Sequence, residues 1–299
     1  MKIAPRFLFC LMTQVQSTMT DVAVDNGKPS SKAILANLPA GTVALTALST
    51  VLPPVLFVVV LLVLWSVGSA RGIVPFYIIP GPQQIAAEFV NNSTVLLKHA
   101  SRTSLEALSG FAIGNVVAVV MAVLLTWSRP LKETIYPYAL LTRAVPIIVF
   151  TPVIVVLLGR GLPPIIFTVA LTVYFPTFLN MMRGLRSADA EYHETLHTLS
   201  ATRVQRLWLV DLPSSMPYLF AALKISASGA FISALVTEWI GSNLGLGYLV
   251  VVSGQYFKLA TLWAAIFTAS FLTLALLGVV TLVEKLLGRW TAAAEDVGN

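Results

Sequence analysis

The sequence predicts an all-α polytopic membrane protein with about six transmembrane helices and one long polar loop between the fourth and the fifth. Three observations lead there. Apolar residues make up 57% of the 299-residue chain and charged residues only 11%, where soluble domains carry about 25% charged residues. The mean hydropathy is +0.85. The apolar residues come in long runs and do not alternate as barrel strands would, and only helices and closed barrels satisfy their own backbone in lipid. A soluble domain cannot cover its surface with so few charges, and disorder is excluded for the same reason. Cys10 is the single cysteine, which excludes an internal disulfide and a cysteine zinc site. A net charge of +6 would suit nucleic acid in a soluble protein. Here it reports basic loops on one side of a membrane, and no nucleic-acid partner is expected.

A spanning helix needs about 20 largely apolar residues. The first run is 43–67, where Pro53 and Pro54 are expected to break the helix, so that it starts there and ends near Ser69. The second is 107–127 and the third 134–158, interrupted by Arg143. The fourth is 161–182. The fifth, 216–240, contains Lys224 and Glu238, and the sixth is 259–283. Six spans put both termini on one side. With the termini inside, the inner set of cations is Lys2, Arg6, Lys28, Lys32, Arg129, Lys132, Arg183, Arg186, Arg203, Arg206, Lys285 and Arg289. The outer set is Arg71, Lys98, Arg102, Arg160 and Lys258. This imbalance predicts cytoplasmic termini. The apolar stretch 7–12 behind Lys2 and Arg6 is too short for a signal h-region. Residues 1–40 read as a flexible cytoplasmic tail, 41–290 as the transmembrane domain in contact with lipid, and 291–299 as a cytoplasmic C-terminal tail.

The loop 183–215 holds the densest polar cluster of the chain. Asp189 is placed to cap a helix starting at Ala190, with Glu191 and Glu194 near its positive N-terminal end. The stretch 191–199 reads as a short helix, Ser200-Ala201-Thr202 as a break, and 204–212 as a second helix ended by Pro213 and Pro217. Two short helices form either a docking surface or a solvated connector.

The run from Glu194 to Pro213 resembles the EAA loop of ABC importer permeases: Glu194, Leu212 and Pro213 match. Leu196 stands where an alanine is usual and Ser200 where a glycine is usual. The stretches Ile79-Pro-Gly-Pro, 105–114, Arg143-Ala-Val-Pro146 and Glu238 to Leu249 resemble further segments of the same family, in the same order. The resemblance covers about residues 55–290 and points to the nitrate/sulfonate/taurine class, which also contains pyrimidine-precursor and riboflavin permeases. It implies a type I importer of MetI-like fold in the cytoplasmic (inner) membrane. Two permease chains, as a homodimer, would line one path, and two ABC ATPase subunits carrying ATP and Mg would grip the loops. An extracytoplasmic binding protein would deliver a small solute, a nitrate-, sulfonate- or taurine-like anion before a pyrimidine-like vitamin precursor or riboflavin. The loop residues then expected to couple to the ATPase are Glu191, Glu194, Leu196, Ser200, Arg203, Leu212 and Pro213. The chain itself lacks a Gly-x-x-x-x-Gly-Lys-[Ser/Thr] phosphate loop, so no catalytic site and no bound cofactor are expected on it.

Four residues are candidates for the translocation path. Arg143 suits an anionic solute, and an interfacial arginine held by carbonyls explains it equally. Lys224 either snorkels to the inner surface or meets the path or a partner chain. Glu238 either snorkels to the outer surface or meets the path or a partner chain, and its place in the family-like run favours a pore or gate role. Ser228, with Ser226, Gly229 and Ser233, either lines a path or permits close helix packing. Gly241, Gly245 and Gly247 permit a tight outer turn before Tyr248, a plain loop in preference to a scoop that touches the binding protein. Two readings compete from other classes. His193-Glu194-x-x-His197 has the literal spacing of a metallohydrolase, although no third ligand is near except Glu191 or Asp189. A secondary transporter would need no ATPase and should show inverted repeats, which are not evident.

Overall fold

The computed structural model describes residues 40–72, 79–127, 134 and 147–288. Arg143, the segment 135–146 and both terminal tails lie outside the described residues. The chain divides into two compact units, Met1–Leu64 and Trp65–Asn299. All regular structure among the described residues is helical: α1 Ala40–Ala70, α2 Pro82–Asn91, α3 Ser93–Trp127, α4 Thr151–Leu158 after the 3-10 turn Ile147–Phe150, α5 Leu162–Gly184, α6 Ala190–Thr198, α7 Arg203–Arg206, α8 Leu212–Gly241, α9 Leu246–Gln255 and α10 Leu259–Leu287. Among the described residues four helical stretches are long and apolar enough to cross a membrane: Ser93–Trp127, Leu162–Gly184, Arg203–Gly241 and Leu259–Leu287. They coincide with the second, fourth, fifth and sixth expected spans. The shorter apolar helices Val55–Ala70 and Ile147–Leu158 fall on the first and third.

α5 is the centre of the second unit, flanked by α3 and α8. Gly110 and Gly114 of α3, four residues apart, let the backbones meet. A Cβ on Gly110 would sit 2.9 Å from the Ile166 carbonyl oxygen, and one on Gly114 would run into the Ala170 carbonyl and the Val173 side chain. Small residues at this spacing maximise contact where lipid supplies no hydrophobic drive. Ala107, Ile165, Val169, Val173, Ala230, Phe231 and Ala234 close the apolar contact around them. Hydroxyls then cross-link the three helices. Thr177 Oγ1 donates to Asn115 Oδ1 of α3 at 2.5 Å and pairs with Ser226 of α8 at 3.1 Å, while Thr172 and Ser233 meet at 3.0 Å.

Three expectations are corrected. Pro53 and Pro54 do not start α1, which runs from Ala40 through both. A proline removes one helical bond each, and a long helix in an apolar setting keeps the bonds on either side. Pro213 and Pro217 do not end the loop's second helix either. α7 passes into a π turn, Leu207–Asp211, and then into α8, with Pro213 in the first turn and Pro217 inside. A proline ring collides with the carbonyl four residues back. For Pro213 that carbonyl belongs to Leu209, and the wider π turn moves it aside. The third correction is α9, where a loop was expected.

α9 forms although no local side chain caps it, because its N-terminal N–H groups find partners from elsewhere. Gly245, at φ +130°, turns the chain into the helix. Leu246 N donates to Thr103 Oγ1 at 2.8 Å, and Gly247 N donates to Glu238 Oε2 at 2.6 Å. Two of the orphan donors that every helix start exposes are thereby satisfied, and a carboxylate sits where the helix dipole favours it. Leu246 and Leu249 pack with Ile85, Leu96, Ala264 and Ala265.

Candidate functional site

The loop expected to dock a partner is built from caps and one buried carboxylate. Ser187 closes the end of α5, its Oγ donating to Gly184 O at 2.8 Å. Asp189 occupies the N-cap of α6 in extended conformation, as its spacing predicts, but its side chain makes no capping hydrogen bond. The C-terminus of α6 is a Schellman motif: Ser200 N donates to His197 O at 3.0 Å and Ala201 N to Leu196 O at 2.9 Å. Ser200 is left-handed, at φ 54°, the position that glycine fills without strain. This gives a backbone reason why glycine would be usual there. Thr202 then caps α7 in a reciprocal box, Gln205 N donating to Thr202 Oγ1 at 3.3 Å and Thr202 N to Gln205 Oε1 at 2.8 Å.

Glu191, Glu194, Ser200 and Arg203 are exposed, while Leu196, Leu212 and Pro213 are half-buried. Between the acids the surface is apolar. Leu199 is 71% and Trp208 68% exposed, and Tyr192, Val204 and Leu209 are also open. Val204, Trp208 and Leu209 lie on the apolar stretch Arg203–Gly241, and Tyr192 and Leu199 are the exposed apolar side chains of the polar loop before it. Asp211, buried at the start of α8, lies 3.5 Å from Arg206 Nε and 3.7 Å from His193 Nε2. His193 is therefore held beside Asp211, while Glu194 and His197 are exposed. Among the described residues no group of three His, Cys, Asp or Glu side chains is placed to hold a metal.

At the other end of α8 lies a second polar cluster, fully buried. Glu238 Oε1 accepts from Thr103 Oγ1 at 2.7 Å, and its other oxygen takes the Gly247 N–H. Glu106, also fully buried, lies beside Glu238 on α3 and accepts from Arg102 Nε at 2.7 Å. His99 Nδ1 sits 2.8 Å from the Gly245 carbonyl oxygen and 3.0 Å from its nitrogen, and its ring stacks on Tyr248 at 6.2 Å. Gly245 lies against the Glu238 carboxyl so closely that a Cβ would overlap it.

The four path candidates do not come together. Arg143 is outside the described residues. Lys224 pairs with Glu284 of α10 at 2.5 Å, both partly exposed. Ser228 is half-buried on α8. Glu238 is sealed in its cluster. Thr103, Glu106 and Glu284 carried no expectation, and Asp211 stood in the sequence only as one member of the polar cluster of the loop 183–215. Glu106 and Glu284 each stand one residue outside an expected apolar run. Charges at run edges were the available signal, because spanning helices outlast the apolar core and carry their charges there.

The model of one protein family, described as the inner membrane component of binding-protein-dependent transport systems, matches residues 114–292. A probable ABC transporter permease of Haemophilus influenzae is 30% identical over 225 residues, 75% of this chain and 92% of the relative. The formylaminopyrimidine transport permease of Halalkalibacterium halodurans is 29% identical, over 80% of this chain and 96% of its own length. Relatives named for riboflavin, aliphatic sulfonate and taurine transport are 29%, 25% and 23% identical. Among solved structures, a chain of the MetNI methionine ABC transporter in inward-facing conformations aligns with a TM-score of 0.53 at 20% identity. The alignment covers 66% of this chain and 96% of that one, and it establishes the MetI-like fold.

Proposed function

This chain belongs to the family of inner membrane components of binding-protein-dependent transport systems, as a permease subunit of an ABC importer, and from that premise we propose how it works. Two copies form the path, both termini lie in the cytoplasm, and the loop 185–211 docks a separate ATPase that binds ATP and Mg. The observation that carries this reading is the surface of α6 and α7, where exposed apolar side chains sit between Glu191, Glu194 and Arg203 on helices capped at both ends of the break. A helix that must be gripped and moved has to keep its shape, and the Schellman turn and capping box supply that stiffness. The ATPase pushes α6, and the push reaches α8 through α7 and the π turn, as one rigid shift between two packed states.

The solute is a small organic or inorganic molecule delivered by a binding protein. A nitrate-, sulfonate- or taurine-like anion is supported by Arg143. A pyrimidine-like or flavin-like heterocycle is supported by two other observations. Lys224 and Arg102 are neutralised within the chain by Glu284 and Glu106, and the relatives named for such solutes have the higher identities.

The test is a gentle detergent pull-down of the chain from its native membrane, read by mass spectrometry. A stoichiometric ATPase with a phosphate loop is expected, together with a binding protein. Recovery of the chain alone, under conditions that preserve other membrane complexes, would overturn the reading. Thermal shifts of the recovered binding protein with taurine, alkanesulfonates and nitrate, against aminopyrimidines and riboflavin, decide the solute class.

A further inference from the structure

Asp211 is a buried carboxylate at the one place where three elements of the loop meet. Its backbone ends the π turn, whose closing bond runs from Leu212 N to Leu207 O. Its side chain faces α7 through Arg206 Nε at 3.5 Å and α6 through His193 Nε2 at 3.7 Å. Only 3% of the residue is exposed, whereas the Arg206 and His193 side chains reach it from solvent, 47% and 31% exposed. The carboxylate is thus anchored to α8, and the groups it attracts belong to the part of the loop that a partner would grip.

The bonding at this joint is incomplete. At 3.7 Å the His193 contact is too long for a hydrogen bond, and Asp211 Oδ1 and His193 Nδ1 are both buried with no hydrogen-bond partner. A buried polar atom left unpaired is costly and calls for a reason. The neighbouring caps at Ser200 and Thr202 are fully bonded, so poor local geometry does not supply one. A shift of α6 toward α8 by less than an ångström would turn the His193 contact into a charge-assisted hydrogen bond.

From this geometry we infer that Asp211 is a positioning residue for transport, the joint through which movement of α6 and α7 is passed to α8, and that it tightens in a second state of the loop. The inference rests on the proposed docking of an ATPase to this loop. It adds which atom links the docked helix to the spanning one, and it assigns His193 a role with no metal in it.

The test uses the intact complex in lipid nanodiscs, with ATP and vanadate as the probe and no solute, read by hydrogen–deuterium exchange. In the unaltered complex, nucleotide should change backbone protection both in 190–206 and in the first turns of α8. In Arg206→Gln and His193→Gln, whose side chains are partly exposed and do not threaten the core, the ATPase should stay bound. The change in 190–206 should remain, and the change in α8 should be lost. Asp211→Asn should behave likewise, and Asp211→Glu, which keeps the charge, should retain transmission. A purely structural role would lower protection everywhere without separating the two segments. An α8 response that persists in all three neutral variants overturns the inference while the docking reading stands. An unaltered complex that holds no ATPase overturns the docking reading, and the inference falls with it.

Discussion

The two ends of α8 carry the same kind of residue, a buried carboxylate, in opposite settings. Glu238 has both oxygens bonded, one to Thr103 and one to the start of α9, and Gly245 is pressed against it. Asp211 has Arg206 at 3.5 Å, His193 at 3.7 Å and an oxygen with no hydrogen bond. A saturated carboxylate holds one arrangement, because any displacement strands several buried polar groups at once. An under-bonded one tolerates a second arrangement. The Glu238 carboxyl, which ties α9 back to α3, is built as a clamp even though Glu106 Oε2 on α3 has no hydrogen-bond partner, and the end that carries α6 and α7 is built as a joint.

The sharpest way to break the clamp is Gly245→Val. The side chain would have to overlap the Glu238 carboxyl at a φ of +130°, and a loss of about 4 kcal/mol or more is expected. It should appear as absence of monodisperse protein after detergent extraction. Glu238→Ala comes next. It leaves the Gly247 N–H buried without an acceptor, at about 1–3 kcal/mol, and leaves the Thr103 hydroxyl only its longer bond to His99 O at 3.3 Å. The apparent unfolding temperature in detergent should fall, and Thr103→Val should give part of that fall. If Glu238→Ala unfolds like the unaltered chain, the clamp is not what holds α9.

The joint end should answer differently. Ser200→Gly relieves a left-handed serine and should stabilise the chain by about 1 kcal/mol, read as a small rise in the same unfolding temperature. Glu194→Arg changes an exposed side chain and should move stability by no more than about 0.5 kcal/mol. Its expected effect is weaker co-purification of the ATPase with the chain still inserted. Unchanged co-purification would remove Glu194 from the docking surface. A stability loss at Glu194 as large as at Glu238 would erase the distinction between the two ends.

Much of this was legible before the fold. The apolar runs located the spanning helices, since a run of that length has no other stable form in lipid. The start of α6 and the break at 199–202 followed from Asp189 and the Ser-Ala-Thr stretch, which act within a few residues. Gly110 and Gly114 stood only within a family-like stretch, and their close approach to α5 emerged from the packing, because a glycine pair in an apolar run does not say which helix faces it. The prolines misled for a definite reason. Pro213 reads as a stop when α-helical bonding is assumed, and one π turn removes the collision on which that reading depends. α9 was read as a loop because its caps come from Thr103 and Glu238, distant in sequence or across a turn, and glycine at its start offers no local sign.

Composition and local chemistry settled what is decided by solvent and by near neighbours: a membrane protein, its runs of helix, its capped loop and the family-like segments. Contact between helices settled the rest. It paired Lys224 with Glu284 and turned His193 toward Asp211. It spent Glu238 on the start of a helix. The bonds a buried polar group makes depend on which helix faces it across the bundle, and that partner can stand 135 positions away, as Thr103 does from Glu238. In a low-dielectric interior such a group must find a partner. The chain order alone does not name that partner, and the packing of α3, α5 and α8 does.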